Sequence, residues 1–148
     1  MKKDNVIVKE NEEKENLVPS LFDESKSNMY CSIVPETDDD KKKLFNALES
    51  CDLLLNDCVG QEIEIKDVYV EQREVIDDET GEVKTKFRTI LFDKTGQTYA
   101  TGSYGIFNII KKIFRIYGYP SMWNEPLKVK VAKRPMGNGK QSLTLTLV

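Results

Sequence analysis

The chain has no histidine, only three cysteines, one tryptophan and no long apolar run. Each lack narrows what it can do. Histidine is the commonest metal ligand and the side chain that titrates nearest neutral pH, so its absence argues against acid–base and metal enzymes. Cys31, Cys51 and Cys58 are odd in number, and their spacings fit neither a zinc site nor a paired disulfide framework. They suit a reducing, intracellular compartment, and the expected location is the cytoplasm. No segment approaches the length of a membrane span. The opening MKKDNVIVKENEEKE lacks the apolar core of a secretory signal. No cofactor, no metal and no membrane partner is therefore expected, and no catalytic residue is assigned.

Acidic residues are nearly missing from the C-terminal half. Residues 83–148 hold 12 Lys/Arg against 2 Asp/Glu, a balance of +10. Residues 1–60 hold 8 against 14 and residues 61–82 hold 2 against 9, balances of −6 and −7. The net charge of −3 thus hides a basic half, which suggests a face for a polyanion with acidic segments kept elsewhere.

At 148 residues the chain is long enough for one domain with a real core. Residues 1–36 read as a flexible arm, too polar to fold alone. Two small apolar islands interrupt it, Val6-Ile7-Val8 and the run around Leu17, Leu21 and Phe22. An island of this kind can dock on a second copy, as a strand on an open edge or as an anchor in a groove. Residues 37–148 read as the folded domain. A helix is expected from Thr37, which can cap it, to about Leu55. Asp38, Asp39 and Asp40 stand where the helix dipole favours carboxylates, which explains them better than a metal does.

Strands follow. Ile63 and Ile65 alternate with glutamates, Asp67 interrupts, and Val68 and Val70 resume, as a bulge in one long strand produces. Tyr69 then points away from the core. Ile76 to Val83 is a turn whose acids (Asp77, Asp78, Glu79) lack the preorganised geometry of a catalytic set. A second strand runs from Lys84 to Phe92, and Asp93 to Gly96 makes a hairpin turn. A third strand runs from Gln97 to Thr101. Ser103 caps a helix whose apolar stripe is Ile106, Ile109, Ile110, Ile113, Phe114 and Tyr117. Gly118 ends it. Its other surface carries Lys111, Lys112 and Arg115. A fourth strand runs from Leu127 to Arg134, a glycine-containing turn spans Met136 to Lys140, and a last strand turns Leu143, Leu145 and Leu147 inward.

Five strands with one helix between the third and fourth is the order of the OB-fold barrel, here preceded by an extra helix and the arm. Single-strand binding needs cations along a groove and aromatic faces for unpaired bases. The candidates are Lys84, Lys86 and Arg88 on the second strand, Lys111 on the helix, and Lys128, Lys130, Lys133, Arg134 and Lys140 on the last two strands and their turn. Tyr69, Tyr99 and Tyr104 are the candidate stacking platforms.

The stretches VGQEIEIKDVYVEQREVIDDETGEVKTKFRTILFD, TYATGSYGIFNIIKKIF and EPLKVKVAKRPMGNGKQSLTL resemble the OB-fold single-stranded-DNA-binding proteins of Gram-positive phages and conjugative plasmids, the PrgE-like group. The resemblance covers roughly residues 44–148. It implies a non-enzymatic, sequence-tolerant single-stranded-DNA-binding protein of phage or plasmid replication or transfer. It also implies a homo-oligomer whose N-terminal tail makes subunit contacts. The acidic C-terminal tip of bacterial housekeeping single-strand-binding proteins has no counterpart here. Whether duplex DNA is also bound stays open. The competing expectation is a scaffold module of a replication or conjugation complex, without a primary DNA role. A metal-dependent nuclease ranks last.

Overall fold

The computed structural model describes residues 29–148. Seven strands form one sheet: β1 (Met29–Cys31), β2 (Leu53–Leu54), β3 (Glu62–Ile76), β4 (Val83–Asp93), β5 (Thr98–Thr101), β6 (Leu127–Gly137) and β7 (Lys140–Leu147). Two α-helices accompany them, α1 (Asp38–Glu49) and α2 (Tyr104–Tyr117). The order in the sheet is β2-β5-β4-β3-β6-β7, with β1 also pairing on β3. The β3-β4-β5 meander and the β6-β7 hairpin meet along β3, whose two halves pair with different partners.

This mainly β, curled half-barrel is consistent with an OB-like barrel, with two corrections to the sequence reading. Seven strands stand where five were expected, and the helix expected between the third and fourth lies between the fifth and sixth. The cause is a pair of very short strands. β1 lies within the stretch read as arm, and β2 within the stretch read as helix. Neither is long enough to show a period of two.

α1 starts as expected. Thr37 accepts from the Asp40 N–H at 3.0 Å, and the Asp40 carboxylate accepts from the Thr37 N–H at 3.3 Å, a reciprocal capping box. It ends at Glu49 rather than near Leu55. Asp52 then clamps the chain to β5: its N–H donates to Thr98 Oγ1 at 2.8 Å, and its carboxylate accepts from the Thr98 N–H at 2.9 Å. Leu53 thereby pairs in parallel with Tyr99, and Leu55 enters the core at 0 % exposure.

The expected bulge occurs between Ile65 and Asp67. Ser32 braces it. Its hydroxyl donates to Asp67 Oδ1 at 2.8 Å and accepts from the Val68 N–H at 2.9 Å. The bulge keeps Ile63, Ile65, Val68 and Val70 on one face, where they join Leu91, Val129, Val131, Leu143 and Leu145. α2 lays Ile106, Phe107, Ile110, Ile113 and Phe114 on this core. Ser103 caps it by accepting from the Ile106 N–H at 3.2 Å, and Gly118, at φ 84°, ends it. Tyr117, expected in the buried stripe, is half-exposed, as is Leu147 at the end of β7. Tyr30 of β1 fills the far end of the core between Phe114 and Tyr119 (ring centroids at 5.5 and 5.1 Å).

A second, smaller core covers the opposite face of the sheet. Leu44, Ala47 and Leu48 of α1 lie over Tyr69, Ile90 and Phe92.

Candidate nucleic-acid interface

The aromatic candidates separate at once. Tyr69 does point away from the main core, as its place after the bulge requires. That face is covered by α1 and β1, so Tyr69 is buried, and its hydroxyl donates to Glu71 Oε1 at 3.0 Å. Tyr99 is buried in the main core, with its hydroxyl donating to Asp93 Oδ2 at 3.0 Å. Burial, with Asp93 beside it, pushes the Tyr99 phenol up to about 12. Both rings are buried, unlike the exposed platforms expected of them. Strand alternation sets which side a residue takes. It does not show what covers that side.

Tyr104 differs. It opens α2 and is 58 % exposed. Its ring lies 4.9 Å from Phe87 of β4, which in turn lies 4.6 Å from Phe107. Lys111 Nζ stands 5.6 Å over the Phe107 ring, within cation–π reach. Phe87 was missed in the sequence because it alternates with Lys86 and Arg88 and reads as an ordinary inward residue. Its partner across the gap between β4 and α2 is what marks it.

The same helix start touches the other hairpin. A Cβ placed on Gly105 would stand 2.6 Å from Ser142 Oγ and 2.9 Å from the Leu143 carbonyl oxygen. Glycine is what lets the helix come this close to the β7 backbone. Ser142 and Leu143 pair with Arg134 and Lys133 of β6. The N-terminus of α2 therefore stands between the β3–β4 hairpin and the β6–β7 hairpin, with Tyr104 between them.

The cations fall into two groups. Several are matched by acids on the neighbouring strand or its turn. Lys128 Nζ lies 3.3 Å from Glu62 Oε1, and Lys130 is the cross-strand neighbour of Glu62. Lys84 Nζ lies 3.7 Å from Asp77 Oδ2. The basic half of the chain is thus partly interleaved with the acidic segment before it. Lys86, Lys133, Arg134 and Lys140 are exposed and make no ion pair among the described residues. Lys86 and Arg88 share one face of β4, opposite Arg73 and Glu71 of β3. With Phe87 and Glu49 these side chains line a groove of about 350 Å³. Arg88 is half-buried, its guanidinium 3.9 Å from Cys51 Sγ.

The arm residues Val6, Ile7, Val8, Leu17, Leu21 and Phe22 lie outside the described residues. Among the described residues no group of Cys, Asp and Glu could hold a metal, and no helix is long and apolar enough to cross a membrane.

No curated protein and no solved structure matches the chain. The family model of the phage single-stranded DNA-binding protein matches residues 23–148. That match takes in every strand and helix described above, from β1 to β7, and the chain belongs to this DNA-binding family.

Proposed function

We propose that this protein binds single-stranded DNA across the N-terminus of α2, with bases stacking on Tyr104 and Phe87. Lys86, Lys133, Arg134, Lys140 and Lys111 neutralise the phosphates on either side. The observation that carries this reading is the half-exposed Tyr104, paired at 4.9 Å with Phe87 and standing between two hairpins on which Lys86, Lys133, Arg134 and Lys140 make no ion pair among the described residues. A stacked base and a neutralised phosphate are the two ingredients of sequence-tolerant single-strand binding. No base-edge reading is invoked, so binding tolerates any sequence. Lys128, Lys130 and Lys84, already opposite carboxylates, contribute less. The work belongs to phage DNA metabolism inside the host cell, a reading that the match to the phage family supports. Plasmid transfer remains the narrower variant of the same role. The arm islands at Val6–Val8 and Leu17–Phe22 join copies on the strand.

Fluorescence anisotropy of labelled oligo-dT over a salt series tests the reading. Tight binding with a log–log salt slope of several times about −0.7 is expected, one such increment for each phosphate neutralised. A duplex of equal length is the control. Absence of binding at low salt would overturn the proposal and leave the scaffold account.

A further inference from the structure

Both hairpins run on past the helix start, and their tips differ in kind. The β3–β4 tip ends in the exposed cross-strand pair Ile76 and Val83, 66 % and 60 % exposed. Its turn carries Asp77, Asp78, Glu79 and Glu82. Asp77 is committed to the turn: its carboxylate accepts from the Glu79 N–H at 2.8 Å and the Thr80 N–H at 3.2 Å. Asp78, Glu79 and Glu82 project from it without an ion pair among the described residues. The β6–β7 tip is its converse. Met136, 65 % exposed, sits among Lys133, Arg134 and Lys140, and no acid occurs in residues 126–148. Positive φ at Gly137, Asn138 and Gly139 turns the chain back sharply, so this tip projects too.

We infer that the β3–β4 tip of one copy docks on the β6–β7 tip of the next copy along a single strand, joining Ile76 and Val83 to Met136 and acids to bases. This rests on the DNA-binding reading above. An acidic tip cannot itself hold a phosphate chain, and exposed Ile76 and Val83 gain by leaving water. The β6–β7 tip offers a projecting surface of opposite charge with an apolar centre at Met136. The two tips flank the same helix start from opposite sides. Copies side by side on a strand bring unlike tips together and leave the stacking residues facing the DNA. The occupant of the tip is therefore a second copy of this chain.

The test uses the full chain on two substrates, a one-site oligo-dT and a long poly-dT, with the pair Asp78→Lys and Glu79→Lys. On the short strand the variant should bind as tightly as wild type or tighter, since like charges near DNA have been removed. On the long strand its neighbour cooperativity should fall by roughly three- to tenfold, the scale of a few exposed charge pairs. Adding Lys133→Glu and Lys140→Glu to the same chain should weaken short-strand binding yet restore the cooperativity. Circular dichroism confirms that each variant folds. Unchanged cooperativity in the lysine pair overturns the inference, as does a wild type that fills long strands without cooperativity. In both cases intact short-strand binding leaves the DNA reading standing. Failure of the wild type on the short strand removes both.

Discussion

Tyr104→Ala separates binding from folding more cleanly than any other change in this molecule. The side chain sits at the first position of α2 and is 58 % exposed, so its loss opens no cavity. What it gives up in the fold is its contact with Phe87 at 4.9 Å. An aromatic pair adds about 0.5–1.5 kcal/mol beyond area burial, and alanine regains a few tenths as the better helix former. The net loss of stability should stay near 1 kcal/mol, about 2–5 °C in Tm for a domain of this size. On DNA the loss should be larger. Stacking is worth about 1–3 kcal/mol per base, which is about 5- to 150-fold in Kd. Anisotropy on oligo-dT reads this directly. The salt slope should not change, because no cation is removed. Lys86→Ala should instead lower the slope by about 0.7 and cost less affinity. Tyr104→Phe should bind like wild type, since the ring is the platform. A folded Tyr104→Ala protein whose Kd stays within about twofold of wild type would refute the stacking argument. Tyr69→Ala gives the contrast. It should cost about 3–5 kcal/mol of stability, as truncating a buried aromatic does, and lose DNA only by unfolding.

Three further outcomes follow from the fold. Gly105→Ala should destabilise by about 1–3 kcal/mol in urea unfolding, reversing the usual helix preference for alanine, because its Cβ would meet the Leu143 carbonyl at 2.9 Å; a gain in stability would show that the helix start has room. Thr89 Oγ1 is fully buried with no hydrogen-bond partner among the described residues, so Thr89→Val should stabilise by about 1 kcal/mol by calorimetry, and a loss of that size would mean the hydroxyl is satisfied. Burial holds Asp67 above the usual carboxylate range, against the lowering effect of its bond from Ser32. A carboxylate raised in the fold stabilises it below the unfolded value of about 3.9 and loses that contribution as pH rises through the folded value. Asp67→Asn should therefore be at least as stable as wild type at pH 7, with the advantage gone below about pH 4; a variant weaker at pH 7 by about 1 kcal/mol would show that the charge supports the bulge.

The elements written locally were legible. Ser103 and Gly118 bound α2 in the sequence because a cap and a left-handed stop are single-residue signals, and both function as read. The bulge after Ile65 showed as a slip in alternation, and the Asp93 turn as its residue types. The run from Leu53 to Leu55 misled, because three leucines continue a helical stripe as readily as they begin a strand. What decides between them is Asp52 clasping Thr98, forty-six residues away. No local pattern encodes that bond.

The site was legible in chemistry and not in arrangement. Basic and aromatic residues in the C-terminal half pointed to a polyanion, but the sequence ranked three tyrosines alike. Depth separates them. α1 turns the outer face at Tyr69 into a second core, β5 carries Tyr99 inward, and only the helix start leaves Tyr104 in the open. The same pairing sorts the cations, since a strand register that sets Glu62 against Lys130 and Glu64 against Lys128 spends their charge within the protein. Lys133 and Arg134 near the β6–β7 tip face Leu143 and Ser142 instead, which carry no charge to offset theirs. The cations without an ion pair among the described residues therefore gather toward the hairpin tips, on either side of the Tyr104–Phe87 pair on which the proposed stacking rests.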